Sequence, residues 1–431
     1  MSLWRLLALV RAPLWWTPKV LPVVAAAALA AIAADVSGSD GVPRVVAMVV
    51  SAVGVAALAH LVNDLTDREA DRRAGKRNAV SGTPRRTSLL LLAGCAVVSV
   101  LPWVVVPIGV PAAVVLAALV VTSLAYSVEP VRLKNRGFVG VLADAAVAHV
   151  LPTMFAFALM GSVGTRTAAW WAATAAAACW SLGFGIRSIV VHQASDAEGD
   201  RKAGVATFVV RRGVHRAVRT GRDAFAVELL GLLGLFAVSA WVAWGAALFF
   251  AVHFGLWLHH RRWERPEIDT VPVRVGQWLP LAEFYEVWPA VALGVVLAVR
   301  DLTWIWMLVG IVVVFWPAVE KQLLDQLTLV AELISWTVHV LTPVLERLGI
   351  RTGMTWRSAI GRLVTWGWAL RSALNWVYHR IRIALRETWF ALVRAWWAIY
   401  RAHWRVRHWF GPLVLFVRRQ RRRIVRHLGR S

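Results

Sequence analysis

The apolar positions of this chain neither alternate nor form a single stripe. They fall in long runs, at Val20–Val36, Val45–Val62, Ser88–Pro107, Val110–Ser127, Phe138–Gly161, Ala168–Val191, Ala224–Val242 and Trp244–His259, with two more at Leu281–Val299 and Thr303–Val319. Runs of roughly 16–24 residues with few or no charges are what a bilayer-spanning helix requires. The pattern predicts an all-α fold, a polytopic transmembrane helical bundle of nine or ten spans. Nine stays open because the last two runs are short and are separated by Arg300 and Asp301.

Composition agrees. Hydrophobic residues make up 59% of the 431 and charged residues 17%, and the mean hydropathy is +0.60. That is too apolar for a soluble protein of this length. Cys95 and Cys179 both lie inside apolar runs and read as small buried residues, not as a disulfide. Arg5, Arg11 and Lys19 interrupt the first apolar stretch, so no cleaved leader is expected there. Residues 1–19, with Trp4, Trp15 and Trp16, suit a short interfacial helix.

Lysine and arginine orient the array. The connections after the second, fourth, sixth and eighth runs are basic, and those after the odd runs carry almost only Arg44 and Arg166. The positive-inside rule then puts the N-terminus and the even connections in the cytoplasm of a multi-pass cell-membrane protein. The net charge of +24 is concentrated in residues 318–431, which hold 20 Lys/Arg against 5 Asp/Glu. From Trp356 an apolar stripe at spacings of three and four runs through Ile360, Leu363, Leu370, Leu374, Val377, Ile381, Leu385, Trp389, Leu392, Trp396 and Ile399, with arginines largely off it. Arg418 to Arg430 is polybasic. This C-terminal extension is expected to be a basic amphipathic helix on an anionic leaflet, and nucleic acid is the less favoured partner because of the stripe. The domain plan is thus 1–19, the bundle 20–317, and the extension 318–431.

Two matched stretches interrupt the apolar pattern. One is Asn63-Asp64-Leu65-Thr66-Asp67-Arg68-Glu69-Ala70-Asp71-Arg72-Arg73-Ala74-Gly75-Lys76. The other is His192-Gln193-Ala194-Ser195-Asp196-Ala197-Glu198-Gly199-Asp200-Arg201-Lys202-Ala203-Gly204. They start 129 residues apart with an even number of runs between them, as a parallel internal repeat of four helices would give. On a helix Asn63, Asp67 and Asp71 share a face, and Asp64 joins Asp67. Asp196 and Asp200 do the same, extended by His192. Carboxylates so close repel unless a cation neutralises them, and hard oxygen ligands suit Mg²⁺ shared with substrate phosphates. Glu69 and Glu198 match between the copies but fall off those rows, and read as solvated. Asp144, inside the fifth run, is a functional candidate because intramembrane carboxylates are costly.

The first stretch together with the Asp-x-x-x-Asp of the second resembles the UbiA superfamily of intramembrane prenyltransferases. So does Tyr126-Ser127-Val128-Glu129-Pro130-Val131-Arg132-Leu133-Lys134-Asn135-Arg136, which is similar to that family's connection after its fourth span. The resemblance covers about residues 1–300. It implies a Mg²⁺-dependent transfer of a prenyl group from a polyprenyl diphosphate to an aromatic or lipid-like acceptor. It further implies metal ligands among Asn63, Asp64, Asp67, Asp71, Asp196 and Asp200, and diphosphate contacts from Tyr126, Lys134, Arg136 and Arg11. Asp64, Asp67, Asp196, Asp200, Asp144 and His192 are the expected catalytic groups, His192 aiding diphosphate departure only if protonated. His192-Gln193 departs from the usual family pattern, and the extension has no counterpart in it. Two other readings stay open. A relative of the same fold could transfer phosphoribosyl to a polyprenyl phosphate, with Lys76, Arg77 and Asn78 serving the sugar phosphate. A non-catalytic bundle could simply anchor the basic tail.

Removing Trp356–Ser431 should weaken flotation with anionic vesicles by about tenfold, as expected for a lost polybasic amphipathic segment, and leave metal-dependent chemistry in place. A folded truncation with no activity would show that the tail completes the site.

Overall fold

The computed structural model describes residues 9–76, 78–238 and 282–322, and single helical positions between 365 and 387. The chain divides into two units, Met1–Val330 and Ala331–Ser431. The run Trp244–His259, Trp4, Arg77, most of the stripe from Trp356 and the polybasic end lie outside the described residues.

The first unit is helical throughout its described length. Its elements are α1 (Ala12–Ala34), α2 (Gly38–Ala74), α3 (Arg85–Val100), the short α4 (Pro102–Val105), α5 (Val110–Ser127), α6 (Phe138–Ala145), α7 (Leu151–Met160), α8 (Ala168–Ala203), the short α9 (Phe208–Arg212), α10 (Val214–Val238) and α11 (Ala282–Arg300). Helix α12 follows at 305–322. Among the described residues, seven stretches are long and apolar enough to cross a membrane: Trp15–Ala34, Gly38–Arg73, Arg85–Val105, Val110–Ser127, Phe138–Met160, Ala168–Ala203 and Leu302–Gln322. Each overlaps a predicted run. The predicted runs Ala224–Val242 and Leu281–Val299 correspond to α10 and α11.

The centre of the bundle is α1, which packs against α2, α7, α8 and α11. Its sequence explains this. Ala27, Ala28, Ala30, Ala31 and Ala34 are fully buried, and small side chains let neighbouring backbones approach where lipid supplies no hydrophobic drive. Helix α1 runs unbroken from Ala12 across Lys19, so residues 12–19, expected at the interface, share one helix with the first span. Trp15 is buried and stacks on His60 of α2 at 6.2 Å, and Trp16 stacks on Phe315 at 5.3 Å. Pro18 and Pro22 lie within the helix.

Helices α2 and α8 are near copies in length and in their ends. Ser37 and Thr167 cap their N-termini by accepting from the amides of Asp40 and Trp170. Each ends at a glycine in the left-handed region, Gly75 (φ 67°) and Gly204 (φ 71°), where an L side chain would be strained. The Ala-Gly that closes both matched stretches is therefore a helix terminator.

An ion pair between α8 and α10 lies within the bundle. Arg187 of α8 donates to Glu228 of α10 through Nε at 2.6 Å and Nη2 at 2.7 Å, and the Tyr285 hydroxyl of α11 donates to the same carboxylate at 2.8 Å. Both charged side chains are buried. Beside it an apolar cavity of about 80 Å³ is lined by residues including Ala26, Leu29, Phe157, Trp180, Leu232 and Tyr285.

Removing one partner of a buried pair leaves the other uncompensated. Glu228→Ala should destabilise the bundle by about 3–5 kcal/mol, read as an earlier thermal midpoint in detergent, and Glu228→Gln should cost clearly less. Equal midpoints for Glu228→Ala and the unaltered protein would show that the network is not structural.

Candidate active site

Asp71 and Asp200 stand in the last turn of their helices, Asp67 and Asp196 one turn further in, and Asp64 almost a turn beyond Asp67. The last turn is an unfavourable place for negative charge, because the helix dipole leaves partial negative charge on the terminal carbonyls. Arg72, Arg73, Arg201 and Lys202 in the final turns offset part of it. The rest falls to cations brought in from other elements, and these define the site.

Asp64, fully buried, receives Arg11 from the start of α1, with Nε 3.0 Å from Oδ2 and Nη2 2.6 Å from Oδ1. The second contact is an ion pair out of hydrogen-bond alignment, which leaves Oδ1 buried without a hydrogen bond. Asp67 is held by Lys134 Nζ, 2.6 Å from each oxygen, and by Arg132 Nη2 at 2.9 Å. Lys134 also donates to Asn63 Oδ1 at 2.9 Å, which Ser127 Oγ approaches at 3.1 Å. Asp71 accepts from Asn78 Nδ2 at 2.7 Å, and the same amide donates to the Asp64 carbonyl at 2.8 Å. The second set is neutralised from the first: Lys76, immediately after Gly75, reaches Asp196 at 3.1 Å and Asp200 at 2.9 Å.

The backbone is shaped to deliver these cations. Arg11 (φ 53°) and Arg132 (φ 34°) are two of three described non-glycine residues at positive φ, a conformation that costs about 1–3 kcal/mol and collects at functional sites. Lys134 lies in a 3₁₀ turn, Leu133–Asn135, which sits directly on α6. A Cβ at Gly140 of α6 would fall 2.6 Å from the Leu133 carbonyl oxygen, so only glycine lets the turn lie so close. Arg68 ties the loop after α2 by donating to the carbonyls of Val80 and Thr83 at 3.1 and 3.3 Å.

Burial pulls the Lys134 pKa below the usual lysine value, against the pull of Asp67. At Lys76 burial acts the same way, but the hydrogen bonds and charge of Asp200 and then Asp196 outweigh it and raise the pKa.

The structure thus brings Asn63, Asp64, Asp67, Asp71, Asp196, Asp200, Arg11 and Lys134 to one end of the bundle. Tyr126 and Asp144 stand beside each other just inside it. His192 is exposed at the same end, next to Gln193, whose buried Oε1 has no hydrogen-bond partner. Arg136 does not join: it is spent bracing its own loop, donating to the carbonyls of Val131 at 2.6 Å and Pro130 at 3.1 Å. Arg132, four positions closer to Pro130 in sequence, stands at Asp67 instead. Glu69 pairs with Arg72 and Arg73, and Glu198 with Lys202, on exposed faces. Sequence reasoning also passed over Lys76 as a partner of the second stretch, and over Lys19 and His149, which meet at 3.0 Å within the bundle. A charged residue inside an apolar run was the available signal for Lys19.

The donor set suits a hard divalent ion, being all carboxylate and amide oxygen. Among the described residues no three acidic, histidine or cysteine side chains form a ready metal cage. Mg²⁺ seldom needs one, since it takes one or two carboxylates and completes its shell with water and phosphate. The ammonium groups of Lys76 and Lys134 lie between the oxygens that such an ion would use.

The comparisons with known proteins bear on this geometry. The model of the UbiA prenyltransferase family matches residues 20–278. Among solved structures, a UbiA homologue from Archaeoglobus fulgidus bound to GPP and Mg²⁺ is 18% identical, with 68% of this chain and 99% of that chain covered and a TM-score of 0.52. A structure of a UbiA homologue from the same organism bound to DMAPP and Mg²⁺ is 16% identical, covers 68% and 99%, and has a TM-score of 0.47. No curated protein matches the chain. The first of these likenesses shows a shared fold. The family match spans more than half of the sequence and takes in both carboxylate-bearing helix ends, and the chain belongs to the UbiA prenyltransferase family.

Proposed function

We propose that the protein transfers a prenyl group from a polyprenyl diphosphate to an aromatic or lipid-like acceptor, at the cytoplasmic face of the cell membrane. The observation that carries this is the pair of carboxylate-bearing helix ends, strapped together by Lys76 and ringed by Arg11, Arg132 and Lys134. Such a ring of alternating charge matches a diphosphate with its counterions. The homologue solved with GPP and Mg²⁺ is consistent with it.

In this reading Asn63, Asp64, Asp67 and Asp71 hold one Mg²⁺, and Asp196 and Asp200 another. The metal, when bound, supplies positive charge that stabilises diphosphate as a leaving group. Arg11, Arg132 and Lys134 turn their N–H groups from carboxylate to diphosphate oxygens. The bond from the prenyl C1 to oxygen breaks with its electrons going to diphosphate. The acceptor's nucleophilic atom then bonds C1, and the acceptor's proton passes to Asp144, which Tyr126 orients. The apolar bundle excludes water that would capture the allylic cation, and the cavity beside Trp180 and Tyr285 offers the prenyl chain an apolar berth.

Asp67→Asn and Asp196→Asn should each weaken Mg²⁺-dependent binding of geranyl diphosphate at least tenfold in thermophoresis, and a chelator should abolish it. Binding that survives both substitutions would remove the clamp assignment. Product formed only from phosphoribosyl diphosphate and a polyprenyl phosphate would transfer the same site to phosphoribosyl chemistry.

Lys76→Met takes away an internal competitor for Asp196 and Asp200. Mg²⁺ affinity without prenyl diphosphate should rise by about three- to tenfold, as expected for loss of a charge-assisted contact. Calorimetry giving an unchanged affinity would show that Lys76 does not occupy a metal position.

A further inference from the structure

Helix α10 keeps one face exposed along its length. Its opposite face packs on α8, and that packing fixes its rotation. Ala217, Ala224 and Glu228 are buried there, Glu228 in its pair with Arg187, and a Cβ at Gly231 would collide with the backbone of Trp180. Residues half a helical turn away must therefore point outward. They are His215, Arg219, Arg222, Ala226, Leu230 and Leu233. Spacings of three and four put them on one line of a helix with 3.6 residues per turn. All six are exposed, Leu230 by 67% and Leu233 by 61%.

The line changes chemistry at a definite level. Its first half is basic and its second half apolar. The change falls where the apolar span of the neighbouring helix ends: a Cβ at Gly221, next to Arg222, would touch Val190 Cγ2 of α8 at 3.5 Å, and Val190 is the last residue but one of the run Ala168–Val191. Arg219 and Arg222 so stand at headgroup depth, where basic side chains meet lipid phosphate. Leu233 lies about 16 Å below Arg222 along the axis, close to the hydrocarbon thickness of one leaflet. Among the described residues neither arginine is paired with a carboxylate, whereas Lys202 and Arg132, at the same end of the bundle, are taken by Glu198 and Asp67. Arg212 and Arg216 flank the line and are exposed as well. Asp223 is the one acid in the first three turns of α10, and it forms no ion pair among the described residues.

We propose that this face of α10 is a binding site for an anionic phospholipid, with its phosphate on Arg219 and Arg222 and one acyl chain laid along Ala226, Leu230 and Leu233. Charge complementarity selects an anion, and the apolar continuation selects an anion that carries a chain. An acidic protein or a nucleic acid would use the arginines and leave the leucines without a partner. The bound lipid backs the helix whose inner side supplies Glu228 to Arg187, so its occupancy stabilises the contact between α8 and α10. The site is independent of the prenyl-transfer reading and of the basic extension.

The test uses the full chain in a neutral detergent, with bound lipid counted by native mass spectrometry. Dioleoyl phosphatidylglycerol, dioleoyl phosphatidylcholine, dihexanoyl phosphatidylglycerol and inorganic phosphate are titrated in turn. The first dioleoyl phosphatidylglycerol should bind about tenfold more tightly than any of the other three. Arg219→Gln combined with Arg222→Gln should remove that preference, and the corresponding pair of lysine substitutions should keep most of it. Arg85→Gln combined with Arg86→Gln, at an exposed basic pair that opens α3, should leave it unchanged. The glutamine pair in α10 should also melt as the unaltered protein does in phosphatidylcholine, and earlier than it in phosphatidylglycerol. Equal losses in the α3 and α10 glutamine pairs overturn the proposal, because general surface charge would then explain the binding. A preference that survives the α10 glutamine pair overturns it too, and assigns the lipid to the basic extension. Inorganic phosphate binding as tightly as the dioleoyl lipid would reduce the site to a free-anion site. An acidic peptide or an oligonucleotide whose binding is lost with the arginines, while the lipid's is kept, would make the face a macromolecular surface instead. Loss of the preference in the lysine pair would remove charge as its basis, and keeps the test decisive if the glutamine pair does not fold.

Discussion

Negative charge at the C-terminal end of a helix is the constraint around which this protein is arranged. Two long helices carry carboxylates through their last two or three turns, and in the final turn the helix dipole opposes them. The solution is shared: the first helix's exit residue, Lys76, serves the second helix, and the loop after α5 serves the first through Arg132 and Lys134. The two matched helix ends are thereby coupled by charge at the place proposed for a metal-bound diphosphate. The cations that neutralise these carboxylates are the same groups that the proposed function assigns to diphosphate.

The alanine-rich α1 gives this arrangement its reference frame. It is the element against which α2, α7, α8 and α11 all pack, and it carries Arg11 to the first carboxylate and Lys19 to the interior. Because both cations share one helix, the separation between them is set by helical rise and not by side-chain choice. The π turn before α7 supplies the partner for the deeper one.

Much of this was legible in the sequence. Long apolar runs gave the helices, since length and lack of charge are properties of single segments. The matched Asp stretches picked out two helix ends that the structure brings together, and their common Ala-Gly marked where the helices stop. What was not legible was pairing across segments. Arg132 and Arg136 flank the same motif, and nothing local distinguishes the one that reaches Asp67 from the one that braces its own loop. Lys76 reads in the sequence only as a candidate for a sugar phosphate, because its carboxylate partners lie 120 or more residues away. Trp15 and Lys19 looked interfacial, because an aromatic or basic residue near the start of a span reads the same whether it faces headgroups or a bundle core.

Pro18 and Pro22 in α1 carry one more consequence. A proline has no amide hydrogen, so the carbonyls of Leu14 and Pro18, four residues earlier, lose the donor that an uninterrupted helix would supply. The most enclosed helix of the bundle thus holds two backbone acceptors that it does not use itself, and both fall along the stretch between Arg11 and Lys19. In a membrane bundle such oxygens are met by neighbouring helices, hydroxyl side chains, ordered water or a local tightening of the helix. The first turns of α1 therefore leave main-chain oxygens open to donors from outside the helix, between the arginine that meets Asp64 and the lysine that meets His149.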